Sequence, residues 1–84
     1  MPQKDVTLTN DVGLHARPAA VFAKKAGTFA CDVTVVKGGE EANAKSILAV
    51  LKLDVRQGDA ITLRTTGDGA DEALVTLVNL IESL

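Results

Sequence analysis

The sequence predicts an α/β (α+β) two-layer open-faced sandwich, a four-stranded antiparallel sheet with helices on one face. Two observations predict it. The 84 residues leave room for one domain, 1–84, with a thin core. Segments of hydrophobic period two also interleave with segments of helical period in the order strand, helix, strand, strand, short helix, strand, helix.

Over residues 5–9, Val6 and Leu8 alternate with Asp5, Thr7 and Thr9, the pattern of a half-buried strand, and Asn10, Asp11 and Gly13 then open a loop. A helix follows over Ala16–Ala26, with Pro18 in the first turn, where a missing N–H costs nothing. Its apolar stripe is Ala19, Phe22, Ala23 and Ala26, and Gly27 stands where a C′ stop is expected. Asp32–Lys37 reads as a strand facing inward through Val33 and Val35. Gly38-Gly39 turns it into a short partner over Glu40–Asn43. The apolar segment 46–53 is too short to be helical without tertiary support. A fourth strand spans 60–65 with Ile61 and Leu63 inward. The last helix spans 70–83, with Ala70, Leu74, Leu77, Val78 and Ile81 at helical spacing and Asp71 and Glu72 favourable to the dipole in its first turn.

Composition narrows the function. With 46% apolar residues, two Phe and neither Trp nor Tyr, the core must be built from Ala, Val, Leu and Ile. A net charge of −2, without a basic run or aromatic platforms, argues against a nucleic-acid partner. The lone Cys31 excludes an internal disulfide and a cysteine metal cluster and points to a reducing compartment. The polar start, Met1 to Asp5, lacks the apolar stretch of a signal peptide, and no segment has membrane-spanning length. A small, monomeric cytoplasmic protein is expected, without membrane partner, metal or cofactor.

The stretch carrying chemistry is Gly13-Leu14-His15-Ala16-Arg17-Pro18-Ala19-Ala20. The single histidine falls at the start of a helix, where the first N–H groups lack intrahelical partners and the dipole favours an anion. The amides of Ala16 and its neighbours, Arg17 with its fork of donors, and Pro18 stiffening the turn would make a phosphate site. The dipole also disfavours an imidazolium, and a neutral imidazole is the nucleophilic form needed for phosphoryl capture. A histidine at a helix start is more often a cap or a surface residue, and Arg17 alone more often a solvated one. No second His or Cys pair stands by to complete a metal shell.

The stretch from Gly13 to Ala19 resembles the active-site signature of the HPr phosphocarrier family of the bacterial sugar phosphotransferase system. Ala44-Lys45-Ser46-Ile47-Leu48 resembles that family's regulatory serine region, and the likeness covers essentially the whole chain. The resemblance implies that His15 accepts a phosphoryl group through Nδ1 from phosphorylated enzyme I, itself charged by phosphoenolpyruvate. His15 would then pass it to the enzyme IIA component of a sugar permease, with Arg17 as the active-site arginine. The chain would thus be a carrier and a protein substrate, not a turnover enzyme. It further implies that Ser46 is open to regulation by an HPr kinase/phosphorylase, with a catabolite-control transcription factor as a further partner. Ala16, Ala20, Lys24, Ile47, Leu48 and Leu51 would form the partner surface. On the residues alone, Ser46 is an N-cap, and Ile47, Leu48, Leu51, Val50 and Leu53 are either all core or divided, with the first three on one side and Val50 and Leu53 facing the core. Two residues depart from the family pattern. Val12 replaces a small polar residue near the imidazole and can bond neither ring nor phosphate. Asp54 replaces the usual glycine, in a left-handed cap that Asp tolerates better than most residues. Two other readings are weaker. A regulatory relative that no longer transfers phosphate would lack His15, and an acylphosphatase-like enzyme would need a second catalytic group.

Overall fold

The computed structural model describes residues 2–84, so that Met1 of the polar start lies outside the described residues. The elements are β1 (Gln3–Thr7), α1 (Ala16–Ala26), β2 (Asp32–Lys37), β3 (Glu40–Asn43), α2 (Ile47–Lys52), β4 (Ala60–Thr66) and α3 (Ala70–Glu82), in the order expected. The strands form one antiparallel sheet in the order β1-β4-β2-β3. Alternation decides its two faces. Registers such as Val6 opposite Ile61 and Val35 opposite both Leu63 and Ala42 put all five of these apolar side chains on the buried face. The open face is polar, with Thr62 Oγ1 donating to Asp5 Oδ1 at 2.7 Å and Arg64 paired to Glu41 at 2.9 Å. α3 packs on β1 and β4, α1 packs on α3 and α2, and α2 leans on β3. Phe22 at the centre of α1 is fully buried, as are Leu8, Leu14, Ile61, Leu63, Leu77 and Ile81.

Three expectations need correction. β1 lies two residues toward the N-terminus of the alternating run. Pairing with β4 is made by backbone groups whatever the side chains, so Gln3 and Lys4 join it opposite Arg64 and Leu63. Leu8, though buried, instead exchanges bonds with the 58–59 turn, through Leu8 N–H to Asp59 O and Gly58 N–H to Leu8 O. Gly27 caps α1 in the right-handed region at φ −66°, not as a left-handed C′ residue. The last carbonyls of α1 are satisfied instead by tightened bonds from Thr28 and Phe29 and by Thr28 Oγ1 donating to Lys25 O at 2.6 Å. On α3, Ala73 joins Ala70, Leu77, Val78 and Ile81 in the buried stripe, and Leu74 only packs at its edge. The remaining differences are single residues at the ends of β4 and α3.

One close approach sets the loop between β1 and α1. Gly13 sits at φ +62°, and a Cβ there would lie 2.2 Å from Val55 O and 2.7 Å from Arg56 Cα. No side chain fits, so only glycine lets this loop lie against the 55–56 backbone. Leu14 N–H then donates to Val55 O at 2.9 Å while its side chain is fully buried. Asn10 closes the turn by donating Nδ2–H to Gly13 O at 2.9 Å.

Gly13→Ala is therefore expected to lower unfolding stability by about 2–4 kcal/mol, from the positive φ plus the clash. Gly38→Ala, at φ +57° with open space around it, should cost only about 1 kcal/mol. Urea unfolding midpoints at unchanged slope check the pair. Equal losses would contradict the close-packing argument.

Candidate functional site

His15 is the N-cap residue of α1, extended at φ −120° and ψ 157°, and its side chain makes no capping bond. The next residue, Ala16, takes a positive φ of +50°. Such a conformation costs a non-glycine residue about 1–2 kcal/mol, and it falls where the chain turns from the extended His15 into the helix. The turn changes the hydrogen bonding of the first helical residues. In α2 and α3 the N-cap carbonyl accepts from the fourth residue on, Ser46 O from Val50 N–H and Gly69 O from Ala73 N–H. Among the described residues no such bond joins Ala19 to His15, and the amides of Ala16 and Arg17 have no acceptor. Pro18 has no amide to offer. Two free N–H groups and the helix dipole therefore face the side on which His15 sits. Arg17 is exposed and makes no ion pair or hydrogen bond among the described residues, so its guanidinium donors are open to an anion.

The imidazole is held from one side. His15 Nε2 lies 3.0 Å from Asp54 Oδ1, with the histidine side chain 37% exposed. Asp54 Oδ2 in turn accepts from Arg56 Nε at 3.1 Å and pairs with Arg56 Nη2 at 2.9 Å. Among the described residues His15 Nδ1 has no hydrogen-bond partner. Asp54 follows the C-cap Leu53 at φ +52°, the left-handed conformation expected of it. Its amide donates to Leu51 O at 3.1 Å, ending α2. What the sequence reading missed is where that conformation aims the carboxylate. Asp54 is 39 positions from His15, and no motif joins the two. The apposition follows from Gly13 and Leu14 docking on the 55–56 segment, which is a tertiary event.

A polar network fixes this turn. Lys37 Nζ donates to Leu53 O at 3.2 Å and Asp54 O at 2.6 Å and pairs with Asp59 Oδ2 at 3.0 Å. Asp59 Oδ2 also accepts from Arg56 N–H at 2.8 Å. That amide, followed by Lys37, holds the Asp59 carboxyl below its ordinary range. For Asp54 the hydrogen bond from Arg56 is the largest cause of a lowered pKa, with the charges of Arg56, His15 and Lys37 acting the same way.

The remaining residues singled out lie on the α1–α2 side of the molecule. Ala16 and Lys24 are exposed and Ala20 is half-buried on α1. On α2, Leu48 is 71% and Ile47 44% exposed, Leu51 is half-buried, and Val50 and Leu53 are in the core, as expected. The two helices run roughly antiparallel: His15 meets Asp54 at one end, and Lys45 Nζ donates to Phe29 O at 2.8 Å at the other. Ser46 caps α2, its Oγ accepting from Ala49 N–H at 3.3 Å. It is thus separated from the His15 end by a six-residue helix, about 9 Å. The structure joins His15, Ala16, Arg17 and Pro18 in one place, with Ser46, Ile47 and Leu48 at the opposite end of the same surface. Val12 is 53% exposed and adds an apolar side chain to the loop before His15. Among the described residues no group of His, Cys, Asp and Glu could hold a metal ion, and no helix is long and apolar enough to cross a membrane.

Comparison with known proteins identifies the family and the fold. A family model described as the phosphorylation site of the HPr component of the phosphotransferase system matches residues 2–83. Phosphocarrier protein HPr of Haemophilus influenzae is 40% identical, over 100% of this chain and 99% of that protein. The crystal structure of HPr-C-His from Thermoanaerobacter tengcongensis superposes with a TM-score of 0.96 at 42% identity, covering 99% of this chain and 93% of the other. A crystal structure of Crh, a Bacillus subtilis catabolite repression protein solved as a domain-swapped dimer, matches with a TM-score of 0.80 at 38% identity, covering 99% and 95%.

The lowered carboxyls of Asp54 and Asp59 set a pH dependence. Each titrates in the folded chain below its usual 3.8. Their contribution is therefore complete above that pH and is lost as pH falls through the lowered folded values. Stability from urea unfolding should decline on acidification below about pH 4, and Asp59→Asn should flatten that decline. A decline unchanged in Asp59→Asn would contradict the Lys37–Asp59–Arg56 network.

Proposed function

The chain belongs to the HPr phosphocarrier family of the phosphotransferase system, and from that premise we propose that it carries a phosphoryl group on His15. The group arrives from phosphorylated enzyme I, charged by phosphoenolpyruvate, and leaves to the enzyme IIA component of a sugar permease, in the cytoplasm. The observation that carries the reading is the half-exposed imidazole with an unpartnered Nδ1, set before a helix whose first amides are unoccupied. Phosphoryl transfer asks for positioning and charge stabilisation more than for bond chemistry from the protein. Nδ1 supplies the lone pair, the amides of Ala16 and Arg17 and the Arg17 guanidinium receive the phosphate oxygens, and Pro18 stiffens the turn. The 1–84 domain acts as a monomer and as a substrate of its two partners, without a cofactor. Ala16, Ala20, Lys24, Ile47, Leu48 and Leu51 dock those partners, since exposed apolar side chains about one short helix away from an active residue suit successive, transient contacts.

Ser46 is proposed as a regulatory site, phosphorylated from ATP by an HPr kinase/phosphorylase and then read by a catabolite-control transcription factor. Its hydroxyl caps a helix end next to Ile47 and Leu48. A phosphate there adds about −1.5 to −2 charge to the docking surface without moving the fold.

Incubation with enzyme I and labelled phosphoenolpyruvate should give acid-labile, base-stable label that vanishes in His15→Ala. Arg17→Ala should slow labelling by about 10–100-fold. An unlabelled wild-type chain would overturn the reading. With ATP and an active HPr kinase, acid-stable label absent from Ser46→Ala is expected, and an unlabelled wild-type chain would remove the regulatory role. Independently, Ser46→Ala should cost about 1 kcal/mol of stability through the lost cap.

A further inference from the structure

The residue least explained by the fold is Asp54. At φ +52° a glycine would be less strained, and the C-terminus of α2 does not require a side chain there. Yet the carboxylate spans two partners, one oxygen 3.0 Å from His15 Nε2 and the other held by both Arg56 Nε and Nη2. Both Arg56 donors engage the same oxygen, Oδ2, which leaves Oδ1 to meet one chosen ring nitrogen. The bond made by one nitrogen of a histidine decides which nitrogen keeps its lone pair.

We propose that Asp54 is a positioning residue for phosphoryl transfer at His15, holding the proton on Nε2 so that Nδ1 presents the lone pair. The inference rests on the carrier reading above. As the Nδ1–phosphorus bond forms and the bond from phosphorus to the donor breaks, the donor leaves with the bonding electrons and the ring becomes cationic. Its Nε2 proton stays in place, shared with Asp54 Oδ1, and the carboxylate offsets the new charge. Onward transfer is the reverse: the Nδ1–phosphorus bond breaks, its electrons return to Nδ1, and a neutral ring with Nε2–H is the leaving group. Asp54 thus acts in both directions, while Arg56 acts through it. An ordinary surface ion pair would do none of this and would contribute little to stability.

The test compares the wild-type chain, Asp54→Gly and Asp54→Asn. Glycine suits the backbone conformation, so it removes the carboxylate and leaves the turn intact. Asparagine keeps the size and can still accept from Nε2–H, without the charge. Expected are a 10–100-fold slower transfer from phosphorylated enzyme I in Asp54→Gly, of the order seen when a histidine loses its orienting partner, and an intermediate loss in Asp54→Asn. Nitrogen-15 NMR of the unphosphorylated neutral ring should show Nε2 protonated in the wild type and a mixture of tautomers in Asp54→Gly. An Asp54→Gly chain that transfers at the wild-type rate with unchanged ring shifts would overturn the role of Asp54 while the carrier reading stands. A wild-type chain that takes no label on His15 would overturn both.

Discussion

The backbone contact between Gly13-Leu14 and Val55-Arg56 is the constraint on which the site depends. The loop after β1 and the turn after α2 are remote in sequence, and neither has regular structure to align it with the other. A missing Cβ at Gly13 and one amide–carbonyl bond from Leu14 to Val55 bring them within contact distance. Once they touch, His15 must lie beside Asp54. The loop cannot retreat without pulling Leu14 out of the core, and that anchoring sustains the strained φ of Ala16 on the other side. The site is thus positioned by packing, and its polar groups are added to a geometry already set.

That geometry suits a group that must be both taken up and given away. The free amides and Arg17 lie at the surface, where water lowers the strength of each charge–charge contact. A buried cradle would hold a phosphate far more strongly and would be slow to release it. Val12, exposed in the loop before His15, offers no polar atom, so on the proposed function the load rests on two backbone amides and one guanidinium. The carboxylate of Asp54 sits on the opposite ring nitrogen, where it acts on the ring and not on the phosphate.

Much of the fold could be read from residue order. Alternation in β2 and β4 and helical spacing in α1 and α3 place the core because burial acts on every second or every third and fourth side chain, and the Gly38-Gly39 turn gives β3. The position of β1 could not be read this way, since its first residues are exposed on both faces and join the sheet only through backbone pairing. Gly27 misled because glycine permits a left-handed cap without requiring one, and Thr28 supplies an alternative end to α1. Of the site, His15 with Ala16, Arg17 and Pro18 forms one contiguous motif and is visible as such. Asp54 was recognisable as a left-handed cap, a local property, but its contact with His15 depends on a loop packing that no local pattern encodes.

The most direct test is to identify the ring nitrogen that carries phosphorus. In a chain labelled with nitrogen-15 at His15 and phosphorylated by enzyme I, nitrogen–phosphorus coupling should appear at Nδ1, with Nε2, the nitrogen that faces Asp54, uncoupled. Coupling at Nε2, or phosphorus on any residue other than His15, would contradict an imidazole held by Asp54 and open at Nδ1.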